Sequence, residues 1–194
     1  MIRTLTRSLT LAAVVAFAGS AAAASNDAVV RPLKTVVNSI KVGRDGLALK
    51  QFAGEEQGKA LTTDDWEKAT PEQRKEFVEL FHKLFAQIAF PKIRENFKNL
   101  GAVNYDEPEI DGSKASVAST IVIDHPLKKQ ELKLKYALVK DGSAWRVVDV
   151  AVLGDSMLAG IRDDQVKPLL KEGGWNKLLE TMRAKAKELD GAKK

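Results

Sequence analysis

Few side chains in this sequence combine the type and the spacing that catalysis or metal binding requires. The chain has no cysteine, which excludes thiol nucleophiles and thiolate metal sites. Its two histidines, His82 and His125, fall in different predicted elements, and no cluster of His, Asp and Glu has the spacing of metal ligands. Ser156 follows Gly154, but Leu158 stands where a nucleophile elbow needs its second glycine. We therefore predict no catalytic residue, no metal site and no cofactor.

The N-terminal segment has the three parts of a secretory signal peptide. Arg3 and Arg7 form the basic part, residues 9–17 form an uncharged apolar core, and residues 21–24 are the small side chains that a signal peptidase reads. The apolar run is shorter than the ~20 residues that span a bilayer. We predict a signal peptide at residues 1–24, a single domain at residues 25–194, and export to the periplasm of a Gram-negative-type cell.

The charge balance argues against a nucleic-acid partner. Loss of Arg3 and Arg7, the two charged residues of the signal peptide, lowers the formal net charge from +5 to +3. The excess is spread along the chain, whereas a nucleic-acid binder usually has a dense basic stripe with interleaved aromatic residues. We predict no nucleic-acid binding, and we expect the mild positive charge to favour transient contact with an anionic membrane surface.

Hydrophobic periodicity divides the chain into helices, strands and helices again. Thr70-Pro71-Glu72-Gln73 predicts a capping box at the start of an amphipathic helix, which Pro91 is expected to kink or interrupt. Four strands are predicted at residues 103–110, 114–123, 129–140 and 144–153, with two Asp-Gly turns. Helices return near Ser156, and Gly173-Gly174 predicts a break. The predicted class is α+β, with helices packed on one face of a curved four-stranded antiparallel sheet and an apolar pocket between them.

The C-terminal third carries the most informative segments. They are Trp145-Arg146-Val147-Val148-Asp149-Val150, Gly154-Asp155-Ser156-Met157-Leu158, Ile161-Arg162, and Gly173-Gly174-Trp175 followed by Leu178-Leu179. Together they resemble the MlaC/toluene-tolerance family, and the segment from Thr70 to Phe81 resembles the family's middle helix. The similarity covers nearly all of the chain after the signal peptide.

The resemblance implies a periplasmic lipid-binding component of an ABC-type lipid transport system. Such proteins hold phospholipid acyl chains in a deep apolar pocket. They exchange this cargo with an inner-membrane MCE-domain protein and its ABC transporter, and with an outer-membrane lipoprotein complex. Some relatives are associated with hopanoid or sterol-like lipids, which we keep as alternative cargo. The chain departs from the family pattern at Ile161, where a tyrosine is frequent, and at Gln165, where an aromatic residue is expected.

The candidate lipid-binding residues come from the inward faces of the predicted elements, because acyl chains need an apolar lining. They are Phe81, Phe85, Ile88, Phe97, Leu132, Leu134, Tyr136, Trp145, Val148, Val150, Met157, Leu158 and Ile161. Arg94 and Arg162 are candidate contacts for a lipid head group.

Two other classes of function stay open from the sequence. An enzyme would need His82 or His125 to meet a carboxylate inside a cleft. Asp124 precedes His125, but adjacent residues on a strand point to opposite faces, and Pro126 indicates a turn. An envelope adaptor that binds only proteins would instead have a solid interior and a large exposed apolar patch.

Overall fold

The structure is a computed structural model that describes residues 18–124 and 129–192, with side chains from residue 25 onward. The basic and apolar parts of the predicted signal peptide, and the predicted turn at residues 125–126, lie outside the described residues. Helix α1 begins at Ala18, upstream of the predicted cleavage after residue 24. None of the helices in the described part of the chain combines the length and the hydropathy that crossing a membrane requires.

Helices build both ends of the described chain. The first group precedes the sheet and comprises α1 (Ala18–Lys41), α2 (Asp45–Leu49), α3 (Gly54–Thr62), a 3-10 helix (Thr63–Lys68) and α4 (Pro71–Phe97). The second group follows the sheet and comprises α5 (Met157–Ile161), a π-helix (Arg162–Val166) and α6 (Lys167–Gly191). The backbone of α6 leaves helical geometry at Gly173 and Gly174, which confirms the predicted break.

The sheet has six antiparallel strands where four were predicted. They are β1 (Leu100–Tyr105), β2 (Glu109–Asp111), β3 (Lys114–Asp124), β4 (Lys129–Asp141), β5 (Ala144–Val152) and β6 (Asp155–Ser156). Their order is β1-β3-β4-β5-β6, and β2 pairs with the other end of β3. The predicted first strand is divided because Pro108, which has no N–H to donate, lies between β1 and β2. The sixth strand is only two residues long and pairs antiparallel with β5.

Helix α4 starts as predicted and continues further than predicted. The Thr70 hydroxyl accepts a hydrogen bond from the Gln73 N–H at 3.2 Å, and the Gln73 side chain accepts one from the Thr70 N–H at 3.0 Å. This reciprocal pair is a capping box. The helix runs through Pro91 to Phe97, and Phe90 and Phe97 are buried on both sides of the proline. Their burial offsets the missing backbone hydrogen bond, so the predicted interruption was wrong.

Helix α1 covers part of one face of the sheet. Its Val29, Val30 and Leu33 pack against a sheet face that includes Val117 and Val147. Helices α3 and α5 meet the sheet chiefly at β5, next to a short parallel bridge between Phe52 and Val147. Helices α3, α4, α5 and α6 pack against one another as a helical layer beside this strand. The α+β class with helices and an antiparallel sheet is confirmed, with six strands instead of the predicted four.

Candidate functional site

An apolar cavity of about 450 Å³ lies within this helical layer. It is enclosed by α4, α5, the π-helix and α6. Its lining residues are Phe77, Phe81, Leu84, Phe85, Ile88, Ala89, Met157, Ile161, Gln165, Val166, Leu169, Leu178, Thr181, Met182 and Lys185. The volume falls within the ~300–1,000 Å³ range of small-molecule sites.

The cavity has a deep wall and an open side. Phe77 and Leu178 are fully buried in the deep wall, whereas Gln165 and Lys185 are exposed and mark the opening. Ile88 also lines the cavity and is 43% exposed, which is high for a large apolar side chain. The α4 wall runs from Phe77 to Ala89, roughly 18 Å along a helix that rises 1.5 Å per residue.

A continuous series of aromatic rings supports the α4 wall. Phe77, Phe81, Phe85 and Phe90 follow one another along α4, with ring centroids 5.6 to 6.3 Å apart. Trp175 of α6 packs edge-on against Phe77 at 5.6 Å. Its indole N–H donates to the Asp65 carbonyl at 2.9 Å, so the ring is held on its polar side too. These contacts fix the spacing between α4 and the second half of α6.

Helix α5 forms another wall and is positioned by Ser156, the residue that precedes it. The Ser156 hydroxyl accepts a hydrogen bond from the Ala159 N–H at 3.0 Å, so Ser156 is the N-cap of this helix. The Asp149 carboxylate on β5 accepts from the Leu158 N–H at 3.1 Å. Met157 and Ile161 are thereby aimed into the cavity.

A narrow slot of about 20 Å³ extends from the cavity towards the sheet. It shares Phe81, Phe85, Met157 and Ile161 with the cavity and reaches β5 at Val148, Asp149 and Val150. The main space thus lies among helices, whereas the sequence predicted a pocket between helices and sheet. The sheet contributes to the lining of this site only through residues of β5, which reach the slot.

Eleven of the thirteen candidate residues lie in the cavity, in the slot or in the core beneath α1, and two lie outside all three. Phe81, Phe85, Ile88, Met157 and Ile161 line the cavity, and Val148, Val150 and Leu158 line the slot. Leu134, Tyr136 and Trp145 pack in the core beneath α1 instead. Phe97 is buried at the end of α4, and Leu132 is half-buried on β4; neither lines the cavity or the slot.

Several lining residues were missed because they belong to α6 and the π-helix. Leu178 and Met182 carry a helical spacing that marks an inward face, but spacing does not reveal which helix they face. Gln165, Thr181 and Lys185 were missed because they are polar. The one sequence signal for this part of the lining was Gln165 of the π-helix, which stands where the family has an aromatic residue.

His82 lies beside the slot and meets an amide instead of a carboxylate. Its Nε2 is 2.8 Å from the Gln57 side-chain oxygen, and the Gln57 amide N–H donates to the Val148 carbonyl at 3.0 Å. Since that oxygen can only accept, Nε2 carries the proton. Burial lowers the pKa of His82 below its usual 6.5, which favours the neutral ring. No group of three His, Asp or Glu residues with metal-binding geometry occurs among the described residues.

The two candidate head-group arginines lie away from the cavity. Arg94 forms an ion pair with Asp45 at 2.5 Å and so ties α4 to α2. Arg162 forms two hydrogen bonds with Asp163, at 2.9 and 2.8 Å. Its side chain lines a separate polar cavity of about 240 Å³ beside Thr63 and Lys171. Neither arginine lines the apolar cavity.

A larger groove of about 710 Å³ lies between α3 and the sheet. Residues of both charge signs line it, including Glu56, Lys59, Asp111 and Lys114. Apolar chains would desolvate these charges without replacing their interactions with water. The groove is therefore a poorer apolar site than the smaller cavity.

Both the sequence and the fold of this chain are similar to those of known proteins. A family model described as MlaC protein matches residues 46–184. The fold resembles that of a phospholipid-binding protein from Ralstonia solanacearum, solved in complex with a phospholipid. The TM-score is 0.69 at 18% identity, over 85% of this chain and 98% of that chain. A SEC-C motif containing protein from Rhodopseudomonas palustris aligns with a TM-score of only 0.29, at 14% identity, over 48% of this chain and 69% of that chain. The search among curated proteins found no match.

Proposed function

Because the chain belongs to the MlaC protein family, as the match over residues 46–184 shows, we propose that it is a carrier that holds a lipid in the apolar cavity. The proposed cargo is a phospholipid, with a hopanoid or sterol-like lipid as the alternative. The observation that carries this proposal is the lining itself. Twelve of its fifteen residues are apolar, all but Gln165, Thr181 and Lys185.

The dimensions of the cavity suit acyl chains. The hydrocarbon core of a bilayer is about 30 Å thick, so one leaflet accounts for about 15 Å. The α4 wall of roughly 18 Å matches that length. Burial of apolar area stabilises a complex by about 25 cal/mol per Å². An acyl chain along this wall therefore exchanges the apolar interior of a bilayer for a similarly apolar protein surface.

A carrier of this kind would take part in lipid transport across the cell envelope. We propose that it moves lipid through the periplasm between the inner and outer membranes, as the soluble component of an ABC transport system. Its partners would be an inner-membrane MCE-domain protein with its ABC transporter, and an outer-membrane lipoprotein complex. A cleaved signal peptide at residues 1–24, and a single domain at residues 25–194, belong to the same proposal. The phospholipid in the Ralstonia solanacearum protein supports the choice of cargo.

A binding role also fits the histidine better than catalysis does. General acid–base catalysis by His82 would need a carboxylate or a substrate atom within hydrogen-bonding distance of its ring. Its ring is instead engaged with the Gln57 amide and packed against Phe52 and Phe81. We therefore propose a carrier without enzymatic activity.

Native mass spectrometry of the protein purified from the periplasm tests the proposal. We expect one bound lipid per chain, identified after extraction with organic solvent. Ala89→Phe should reduce the bound fraction because the new ring occupies the cavity. Ala184→Phe is the matched control, since Ala184 is exposed on α6 and does not line the cavity.

Two results would overturn the carrier role. One is a lipid-free mass together with no uptake from phospholipid vesicles. The other is equal lipid occupancy in Ala89→Phe and Ala184→Phe, provided that thermal melts show both variants folded. The second result would locate the lipid outside this cavity.

A further inference from the structure

The polar residues of the cavity all belong to the π-helix and α6, and none belongs to α4. Gln165 belongs to the π-helix, and Thr181 and Lys185 stand one turn apart on α6. The opposite wall on α4 contributes only aromatic and aliphatic side chains. A ligand in this cavity therefore meets a uniformly apolar surface on one side and hydrogen-bond donors on the other.

Lys185 is the one charged residue in this lining, and no carboxylate lines the cavity within the part of the chain that the structure describes. Its side chain is 46% exposed, and a lysine so placed keeps its ammonium group in water while its carbon stem can cover apolar surface. The site therefore offers one positive charge at its opening and nothing of opposite sign in its lining.

The ammonium group is available to a ligand. In the structure it contacts the Glu188 carboxylate at 2.8 Å, one turn further along α6. Exposed ion pairs between neighbouring turns of one helix are weak. An anion that is anchored in the cavity by its apolar part competes with Glu188 at high effective concentration.

We propose that Lys185, together with Thr181 and Gln165, forms a head-group subsite that favours lipids with a net negative charge. This inference rests on the proposed lipid-carrier function and adds a class of cargo to it. Lys185 donates to the anionic head, and the Thr181 hydroxyl and Gln165 amide offer further hydrogen bonds on the same side. A zwitterionic head brings a cation of its own next to the Lys185 ammonium group, and the nearest carboxylate, that of Glu188, lies outside the lining, so such a head binds less well.

Other cations near the cavity do not take this role. Arg162 follows Ile161 directly in the chain but is held by Asp163 in two hydrogen bonds, and it lines a different cavity. Lys187 lies on α6 two residues from Lys185 and is exposed, but does not line the cavity. Lys187 therefore provides the matched control.

A competition experiment measures the preference directly. Lipid-free protein is equilibrated with vesicles that contain equal amounts of phosphatidylglycerol and phosphatidylcholine with the same acyl chains. The protein is then recovered and its lipid is extracted and quantified. Both lipids come from the same vesicle, so any attraction of the protein to the surface cancels in the ratio.

We expect the unmodified protein to be enriched in phosphatidylglycerol by about fivefold, the effect of one partly exposed ion pair. Lys185→Gln should bring the ratio close to one, Lys185→Arg should retain the enrichment, and Lys187→Gln should leave it unchanged. Free glycerol phosphate in excess should not displace the lipid, because the apolar chains supply the anchoring.

The outcomes separate this inference from the carrier function. If the unmodified protein takes up no lipid, the carrier function fails. If it takes up both lipids equally, or if Lys185→Gln keeps the enrichment, the carrier function stands and the subsite is wrong. Displacement by glycerol phosphate would identify a site for free phosphate, and it would also overturn the subsite as proposed.

Discussion

Asp149 accepts a hydrogen bond of 2.5 Å from the Ser156 hydroxyl, and this contact joins strand β5 to the start of helix α5. The other oxygen of the same carboxylate accepts from the N–H groups of Val150 and Leu158, at 2.8 and 3.1 Å. One side chain therefore holds the edge of the sheet and the first turn of the helix together. Since α5 lines the cavity, Asp149 and Ser156 position one of its walls although neither residue lines the main cavity itself.

Replacement of Ser156 by alanine should destabilise the protein by about 1 kcal/mol, the usual cost of losing a helix N-cap. The variant removes the acceptor for the Ala159 N–H and the donor to Asp149. Urea unfolding measures the change. Ser143→Ala is the control because Ser143 is exposed in the turn after β4. A loss of equal size in both variants would contradict the capping role.

Gly58→Ala should destabilise the protein by about 1–3 kcal/mol, the range for overpacking a well-packed core. A Cβ atom at Gly58 would overlap the ring of Trp66, which is itself buried. Gly46→Ala is the matched control, since nothing lies within 4 Å of a Cβ atom there. It should be neutral or raise stability by up to about 1 kcal/mol, because Gly46 lies in α2 and alanine favours helices. Thermal melts of the two variants that shift in the same direction would contradict this prediction.

Two tyrosines in one core should respond oppositely to removal of their hydroxyl groups. The Tyr105 hydroxyl is buried without a hydrogen-bond partner among the described residues, so Tyr105→Phe should be neutral or stabilising. The Tyr136 hydroxyl accepts from the buried Ser119 hydroxyl at 3.1 Å. Tyr136→Phe should cost about 1–2 kcal/mol because it leaves Ser119 without its acceptor. Burial raises the pKa of both phenols, so neither is ionised at neutral pH. Guanidinium unfolding of both variants tests the difference in sign.

Stability should fall as the pH is lowered below about 6.5, in part because of His82. Burial lowers its pKa in the folded protein, so in this range the unfolded chain binds more protons than the folded one. The contribution of His82 is complete above pH 6.5 and is lost as the pH falls towards its lowered pKa. His82→Gln cannot titrate and should show a shallower loss of melting temperature between neutral and mildly acidic pH. Parallel curves for the two proteins would contradict this assignment.

Signals within a few residues of one another predicted the local structure well. The capping box at Thr70 needs only the identity of Gln73 three residues later, and both hydrogen bonds are present. The two Asp-Gly turns were predicted from their sequence, and Gly112 and Gly142 indeed have φ values of 56° and 58°. The helix-sheet-helix order followed from the change of hydrophobic period. These features depend on neighbours in the chain, which a sequence displays directly.

Features that depend on distant partners were predicted less well. Periodicity identified Tyr136 and Phe81 equally as inward-facing residues. The structure places Tyr136 beneath α1 and Phe81 in the cavity. The sequence pattern of an apolar face does not identify the element that will pack against it. Pro91 was expected to kink or interrupt the helix, but α4 continues to Phe97, and the burial of Phe90 and Phe97 around the proline outweighs the local preference.

The break in α6 divides the lining of the cavity into two groups. Gln165, Val166 and Leu169 precede Gly173 and Gly174, and Leu178, Thr181, Met182 and Lys185 follow them. The angle between these walls is determined by the dihedral angles of two residues that do not touch the interior. For the proposed carrier, the size of the cavity and its chemical preference would therefore depend on different positions in the chain. Substitutions at the glycine pair would change how bulky a cargo fits, while substitutions along the walls would change which cargo is favoured.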